Sequence, residues 1–494
     1  MGLCKVSNES TKAIAEVLSK KRTLFAILLI AVYAVINGIL LYFHEPWRDE
    51  AFAWLTARNF TFWEIPARVA SEGHPCMWHW ILYPFAHMGL PYITLNIVSY
   101  VIMLAATAFM VWKAPFPIWV KVLFTLSPCL TYFYPVIARS YCLIPPILFA
   151  LAYLYPTRKE HPCRYTIFIA LLVQTHVIME MMALMLSLLL LIEYARDVYK
   201  TRNRRKALHY ILALLIPLAS AIILLYILRD VENASAFKGV SFPGIKPFLI
   251  CLLKMSAAAG VGIFLVVIAA AKRTATTYTA VLVAAVSICF QAWIYVSVYG
   301  AITQRYLTAT LIIMWAFWIT QDERNDEPTG ISGNKYVIKA TRLCNIVLAL
   351  FFFALIITLQ SKIYPDLIGP YSNSKDAAKF IKTNIKGDAV FLMYNSFKPV
   401  AMLPYLDKEK FVFHSATEGI FSESNDVNDG ATMTYKDFKK ALETHESSDV
   451  PVYLILVIEE TDIPENRIAE DYELVYSPKT RSIMKEDFDI YKIH

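Results

Sequence analysis

The sequence predicts an α-helical membrane protein that crosses the bilayer many times and carries a mixed α/β domain at its C-terminal end. Hydrophobic residues make up 57% of the 494 residues and charged residues only 18%, whereas soluble domains are nearer a quarter charged. Apolar stretches of spanning length, roughly 17–25 residues, recur from Thr23 onward. This composition excludes a purely soluble enzyme, a disordered chain and a collagen-like chain.

The charge changes sign along the chain, which separates a membrane part from a water-facing tail. The first 360 residues hold 31 basic and 17 acidic side chains, whereas residues 361–494 hold 16 basic and 23 acidic ones. We therefore expect an acidic tail outside the membrane and no nucleic-acid partner. None of the eight cysteines falls in the tail, so no disulfide framework is predicted there.

About eleven spans are expected. The first one follows Lys20, Lys21 and Arg22, is too long for a signal peptide and lacks a small-residue cleavage site, so it is predicted to be retained. The predicted spans lie near residues 23–43, 91–112, 115–134, 141–156, 165–175, 178–194, 207–228, 246–270, 278–298, 306–320 and 343–360.

Basic residues predict the orientation of the chain in the plasma membrane. With residues 1–22 in the cytoplasm, the cytoplasmic connections carry the basic clusters and the outside connections are leaner, as the positive-inside rule requires. The densest run, residues 202–206, is interpreted as part of this topology signal, with binding of anionic lipid as the other interpretation. The predicted regions are a cytoplasmic N-terminus (1–22), a transmembrane domain (23–360) with a first outside loop (44–90), and an extracytoplasmic α/β domain (361–494).

The tail alternates helical and extended patterns, which favours a small α/β domain. The predicted helices cover residues 374–384 and 435–445, and the predicted strands cover residues 389–394, 451–457, 473–476 and 488–493.

Three carboxylates, Glu45, Asp49 and Glu50, lie within six positions just past the first span. The segments that follow, 51–60 and 77–88, mix aromatic, aliphatic and polar residues and read as helices lying in the membrane interface. A carboxylate at this depth could be a general base. The structural alternative is that Asp49 is a helix N-cap and Glu50 a first-turn carboxylate that stabilises the helix dipole.

Polar and basic residues recur at the outside ends of other spans. Individually, each is explained as a snorkelling or interface residue, and a histidine followed by proline is by default a loop or helix-start residue. Together they would place cations at the depth of the first-loop carboxylates, where a phosphate needs such partners. These residues are His74, Arg139, Tyr141, His176, Arg305 and Tyr306.

The order of these motifs resembles the GT-C membrane glycosyltransferases. A span is followed directly by Asp49-Glu50, then by a long loop and by His74-Pro75 before an aromatic segment. The closest resemblance is to the bacterial branch of the protein O-mannosyltransferase-like superfamily, which includes lipid A aminoarabinose transferases. Shorter segments around Arg139, His176 and Arg305 also resemble that superfamily, and the likeness covers roughly residues 20–320.

The resemblance implies transfer of a sugar from a polyprenyl-phosphate donor to a hydroxyl of a glycan, lipid or protein acceptor on the extracytoplasmic side. Asp49 matches the catalytic carboxylate of such enzymes and Glu50 is its acidic neighbour. His74 falls where relatives often place a basic residue or a histidine near the donor phosphate. Cys76 departs from the pattern, because a second proline is common at that position, and this puts the shape of the turn in question.

The expected chemistry agrees with those roles. An acceptor hydroxyl is a poor nucleophile, so Asp49 would remove its proton, and in-line attack with one base predicts inversion at the anomeric carbon. The leaving phosphate needs stabilising charge, for which Arg139, Arg305 and His74 are the candidates, while Glu45, Tyr141, His176 and Tyr306 are candidate substrate contacts. No cofactor or metal site is predicted; a divalent ion held by Glu45, Asp49 and Glu50 is the less favoured alternative.

Two other function classes remain open. A transporter or flippase of a lipid-linked or anionic substrate should carry ionisable residues near mid-membrane. Here the charges cluster at the outside edge, with Glu180 and Lys254 as the exceptions. A receptor that only anchors a ligand-binding tail would not need eleven spans and a carboxylate-rich loop.

Overall fold

The apolar runs of the sequence form long helices, and the acidic tail forms a sheet with flanking helices. The computed structural model describes residues 2–70, 74–229, 244–300, 302–325, 334–394, 396–407, 410–417, 420–423, 435–445, 450–458 and 472–493. The helices of the membrane part are α1 Gly2–Phe43, α2 Arg48–Asn59, α3 Ile65–Ala70, α4 Met77–His87, α5 Thr94–Lys113, α6 Ile118–Thr125, α7 Ile144–Leu154, α8 Pro162–Val173, α9 Glu180–Thr201, α10 Arg204–Ile227, α11 Ile245–Lys254, α12 Ser256–Lys272, α13 Ala275–Ile294, α14 Thr303–Gln321, α15 Lys335–Thr358 and α16 Gln360–Ile368.

The prediction of a polytopic membrane protein is confirmed, and the structure is helical at each predicted span. Over the residues that the structure describes, seven helical segments are long and apolar enough to cross a bilayer. They are 20–43, 94–113, 140–157, 177–201, 204–227, 275–298 and 335–368. The other four predicted spans are shorter, broken or less apolar; one divides into α11 and α12 at Met255. The count of eleven therefore stays a prediction.

The helix α14 lies at the centre of the bundle. Every side chain from Leu307 to Gln321 is buried, and α14 packs against α7, α12 and α13. A helix that is buried on all sides is expected in the core of a large bundle rather than at its lipid-facing surface. The start of α14 carries Arg305, so the central position of this helix places a cation on the axis of the bundle, at one of its ends.

The first loop contains the two helices expected there. The predicted segments 51–60 and 77–88 correspond to α2 and α4, which pack against each other. Between α6 and α7 the backbone is irregular: a π-helical turn covers Cys129–Phe133 and a 3₁₀ turn covers Ser140–Leu143. These departures from regular helix occur next to the residues that form the candidate site, as π-turns often do.

The C-terminal region contains a six-stranded mixed sheet in the order β3-β2-β1-β4-β6-β5. The helices α17 Ser374–Asn384 and α18 Tyr435–His445 confirm the predicted ones. The strands are β1 Ala389–Met393, β2 Phe411–Thr417, β3 Ile420–Glu423, β4 Val452–Val457, β5 Glu473–Tyr476 and β6 Phe488–Lys492. The strands β2 and β3 were not predicted. The strand β1 pairs in parallel with β2 and β4, and both β1 and β4 are wholly buried.

The sheet is joined to the membrane part through α2. Leu55, on α2, is 1% exposed and belongs to the same apolar cluster as Phe391, Met402 and Ile455 of the C-terminal region. The helix α2 also packs against a 3₁₀ helix, Lys398–Tyr405. The C-terminal region therefore contacts the helix that carries Asp49.

Phe391→Ala is expected to destabilise the C-terminal region by about 4 kcal/mol, because it opens a cavity in the core. Phe391 is fully buried and its ring stacks on those of Phe413 at 4.8 Å and Tyr453 at 5.3 Å. Limited proteolysis during chemical unfolding in detergent measures the loss. Leu474→Ala is the control, since Leu474 is 50% exposed; equal effects of the two substitutions would contradict this core.

Candidate active site

Asp49 is the second residue of α2, and its carboxylate forms ion pairs with two arginines. Oδ2 lies 2.8 Å from Nη1 of Arg139, and Oδ1 lies 2.7 Å from Nη2 of Arg48. The side chains of Asp49 and Arg139 are each 18% exposed. The N-cap of α2 is Trp47, so the alternative that Asp49 caps this helix is wrong.

Burial raises the pKa of Asp49, but the guanidinium groups of Arg139 and Arg48 outweigh burial and hold that pKa below its usual range. Arg305 adds a smaller effect in the same direction. The carboxylate is therefore ionised at neutral pH and can accept a proton without first losing one.

Arg139 and Arg305 both contact Tyr141. The guanidinium of Arg139 lies over the ring of Tyr141 at 5.7 Å and over that of Trp47 at 5.9 Å. Nε of Arg305 donates a hydrogen bond to Oη of Tyr141 at 3.2 Å, and Nη1 donates to the carbonyl of Gly300 at 2.8 Å. The two cations come from turns 166 positions apart in the sequence, and only the fold brings them to one place.

Two histidine rings pack beside these arginines. The rings of His74 and His176 lie 4.7 Å apart, and His176 also stacks on Tyr141 at 4.7 Å. Burial, together with the charges of Arg139 and Arg305, lowers the pKa of His74 to about 3. His74 is therefore neutral at pH 7 and would meet an anion as a hydrogen-bond donor, not as the cation expected from the sequence.

The tautomer of neutral His176 follows from one hydrogen bond. Nδ1 of His176 accepts from the backbone N–H of Ile178 at 3.3 Å, where His176 caps the 3₁₀ turn Val177–Met179. The proton of the neutral ring is then on Nε2, so Nε2 is the donor atom of this ring. We refer to Asp49, His74, Arg139, Tyr141, His176 and Arg305 as the Asp49 cluster.

Glu50 differs from its neighbour in being completely buried, with hydrogen bonds to both carboxylate oxygens. Oε1 accepts from the side chain of Asn96 and the backbone N–H of Ala138, each at 2.8 Å. Oε2 accepts from His44 at 3.1 Å and from the backbone N–H of Trp47 at 3.2 Å. A carboxylate that already has four donors is held in one orientation and has little capacity for a substrate.

His44 lies between two buried carboxylates. Nε2 is 3.1 Å from Glu50 and Nδ1 is 2.8 Å from Asp366, which also accepts from the hydroxyl of Tyr132 at 2.8 Å. Burial lowers the pKa of His44, but Glu50 and Asp366 outweigh burial and raise it to about 10. The imidazolium therefore joins the end of α1, the first turn of α2 and α16. None of His44, Asn96, Tyr132 and Asp366 was predicted from the sequence, because none stands in a recognisable motif.

Two of the predicted substrate contacts, Glu45 and Tyr306, are not members of the Asp49 cluster. Glu45 is near Lys375 and Asp376 of α17, and burial raises its pKa to about 7. The ring of Tyr306 packs against Tyr295 at 6.0 Å.

Within the described ranges, no three His, Cys, Asp or Glu side chains are grouped so that they could hold a metal ion.

The C-terminal region contacts the start of α2 directly. The carboxylate of Glu486 accepts from the backbone N–H of Arg48 at 3.0 Å and from the hydroxyl of Ser372 at 2.7 Å. The guanidinium of Arg48 lies over the ring of Phe397 at 4.8 Å. Burial raises the pKa of Glu486 to about 7.

The helical bundle, with this cluster at one end, has the fold of the GT-C membrane proteins. The chain is similar in structure to ArnT from Cupriavidus metallidurans, an aminoarabinose transferase with the GT-C fold. The TM-score is 0.58 with ArnT bound to undecaprenyl phosphate and 0.55 with its apo state; each comparison has 12% identity and covers 95% of this chain and 98% of ArnT. No protein-family model and no curated protein matches the sequence. The likeness confirms the predicted fold.

His44→Gln is expected to lower the free energy of unfolding at pH 7 by about 3 kcal/mol, because it leaves two buried carboxylates without their cation. The folded pKa of His44, about 10, lies above the ordinary value of 6.5. The stabilisation is therefore complete below about pH 6.5 and is lost as pH rises toward 10. Chemical unfolding in detergent between pH 6 and 10 should show this slope in the unsubstituted protein and a reduced slope in the variant.

His87→Gln is the matched control, since His87 is exposed, and it should keep the slope. An unchanged slope in His44→Gln would show that His44 is not the buried cation described above.

Proposed function

We propose that the protein transfers a sugar from a polyprenyl-phosphate donor to an acceptor hydroxyl on the extracytoplasmic membrane face, with inversion and with Asp49 as the general base. The observation that supports this most strongly is the pairing of one partly exposed, ionised carboxylate with Arg139 at 2.8 Å, beside a second cation, Arg305. The similar ArnT structure was determined with undecaprenyl phosphate bound, which fits a lipid phosphate as the donor.

The proposed reaction is a single displacement. The acceptor oxygen attacks the anomeric carbon, and its proton moves to the carboxylate of Asp49. The bond from the anomeric carbon to the phosphate oxygen breaks at the same time, and the phosphate leaves with the electron pair. Because Asp49 is only weakly basic next to its arginines, proton transfer occurs late, when the forming bond has made the hydroxyl acidic.

The departing phosphate is stabilised by Arg139 and Arg305, with His74 and His176 as neutral donors. Arginine suits this role because its fork of N–H groups matches phosphate oxygens and stays charged. Tyr141 lies against both arginines and His176 and fixes their spacing. The same positive groups that keep Asp49 ionised would therefore hold the leaving group opposite it.

Glu50 is proposed as a positioning residue. Its four donors and complete burial hold the first turn of α2, and this fixes the direction in which Asp49 points. Glu45, near α17, and Tyr306, beside Tyr295, are proposed as more distant substrate contacts.

The orientation proposed from the basic connections places the Asp49 cluster and the C-terminal sheet outside the cell membrane. Glu180 was one of two charged residues that the sequence placed away from the outside edge, as a transporter would require. It begins α9, four residues after His176. It therefore lies toward the Asp49 end of the bundle and not halfway along it.

Asp49→Asn is expected to reduce sugar transfer by at least about 100-fold, because the amide cannot take the acceptor proton. The assay follows transfer from synthetic polyprenyl-phosphate sugars in proteoliposomes, with nuclear magnetic resonance of the product reporting the anomeric configuration. Asp388→Asn, at an exposed position, is the control and should be fully active. Undiminished transfer by well-folded Asp49→Asn would exclude Asp49 as the base, whereas no transfer by the unsubstituted protein would leave transport as the function to test.

Arg139→Gln and Arg305→Gln are each expected to raise the KM for the lipid donor roughly tenfold, because each removes a charged hydrogen bond to phosphate. Arg139→Gln should also move the acid limb of the pH–rate profile to higher pH, since the pKa of Asp49 rises without that cation. Arg139→Lys should move it less.

Arg164→Gln, an exposed substitution on α8, is the control for lost charge and should leave both parameters unchanged. A raised KM for the acceptor alone would place the arginines at the acceptor site instead.

A further inference from the structure

A cleft lies between α8, α9 and the start of α13, at the opposite end of the bundle from the Asp49 cluster. The helix α9 begins four residues after His176, and Arg196 is sixteen residues further along it, which is about 24 Å at 1.5 Å per residue. The helix α13 likewise runs from Ala275 in the cleft toward Tyr295, which hydrogen-bonds to the backbone carbonyl of Arg305. We call this space, of about 320 Å³, the α8–α9 cleft; its polar lining is Arg158, Lys159, Glu193, Arg196, Asp197 and Lys200.

The α8–α9 cleft carries more basic than acidic side chains, and its carboxylates are already paired. Glu193 accepts two hydrogen bonds from Arg158, each at 2.8 Å, and pairs with Lys159 at 3.0 Å. Asp197 pairs with Lys206 and accepts from the hydroxyl of Tyr210, both at 2.9 Å. In the part of the chain that the structure describes, no carboxylate forms an ion pair with Arg196 or Lys200. The cleft therefore has two positive charges available to an anion.

One wall of the cleft is apolar and continues onto the lipid-facing surface of α9. Leu186 and Leu190 are buried in the wall, whereas Ile192 is 48% exposed. These residues belong to a segment, 177–201, that is apolar enough to cross a membrane, and Arg196 and Lys200 lie near its end. Cations at the end of a span, above an apolar wall, lie at the level of lipid headgroups.

We propose that the α8–α9 cleft binds the phosphate headgroup of an anionic membrane lipid, whose acyl chains lie along the apolar face of α9. Arg196 and Lys200 contact the phosphate, while Arg158 and Lys159 stay paired with Glu193 and shape the cleft. A soluble anion would gain binding free energy from the same cations but none from the apolar wall. This site is separate from the Asp49 cluster and does not rest on the proposed sugar transfer.

The test is native mass spectrometry of the purified full chain, titrated with phosphatidylglycerol or phosphatidylcholine. Arg196→Gln combined with Lys200→Gln is expected to weaken phosphatidylglycerol binding roughly tenfold, because two headgroup contacts are lost. The matched control is Lys335→Gln combined with Lys339→Gln, which removes equal charge from exposed positions on α15 outside the cleft and should change binding by less than about threefold.

Lys200→Gln alone, an exposed substitution, repeats the test if the double variant is unstable. Equal losses in the cleft and control variants would overturn the proposal in favour of general surface charge. Equal binding of the two lipids would overturn it as well. Complete displacement of phosphatidylglycerol by millimolar inorganic phosphate would mean that the cleft is a soluble-phosphate site.

Discussion

The buried pairing of His44 with Glu50 and Asp366 is the constraint on which the geometry of the site depends. Charges in an apolar interior are costly unless each is paired and hydrogen-bonded. Here the cation lies at the end of α1, one carboxylate in the first turn of α2 and the other on α16. Because successive residues of a helix point about 100° apart, an inward-facing Glu50 leaves Asp49 directed to the side, toward Arg139. The orientation of the ionised Asp49 carboxylate is therefore set by its neighbour Glu50, whose two oxygens already accept four hydrogen bonds.

The irregular backbone between α6 and α7 forms the side of the site that faces Asp49 and carries Arg139. The chain between α6 and α7 leaves its helical path, and its freed polar groups find partners in side chains. The amide of Gln304 donates to the carbonyl of Phe133 at 2.7 Å, and the hydroxyl of Ser99 donates to that of Tyr134 at 2.9 Å. Non-helical backbone within a membrane protein persists where such internal partners exist. This turn holds Arg139 in place, and Gln304 connects it to the start of α14, where Arg305 lies.

The sequence could predict the class of fold and most members of the Asp49 cluster, because charged and aromatic residues beside long apolar spans stand out from their surroundings. Only the family resemblance distinguished Asp49 from Glu50, since the two carboxylates are adjacent and differ only in what the folded chain packs around them. Asp366 lies 322 positions after His44, and no local pattern reports a contact over that distance. His74 was expected to be a cation; the deep burial that makes it neutral is a property of the assembled loop. The strands β2 and β3 were missed because their short segment carries His414, Ser415 and Thr417 among its aromatic residues.

The hydrogen bond from the backbone of Arg48 to Glu486 spans 438 positions of the chain. The first turn of α2 therefore lacks one of its acceptors until Glu486 has been synthesised and has packed against it. Until then the backbone of Arg48, whose side chain pairs with Asp49, lacks its contact with the C-terminal region. The Asp49 cluster is in this way completed only after the C-terminal sheet has folded onto the membrane helices.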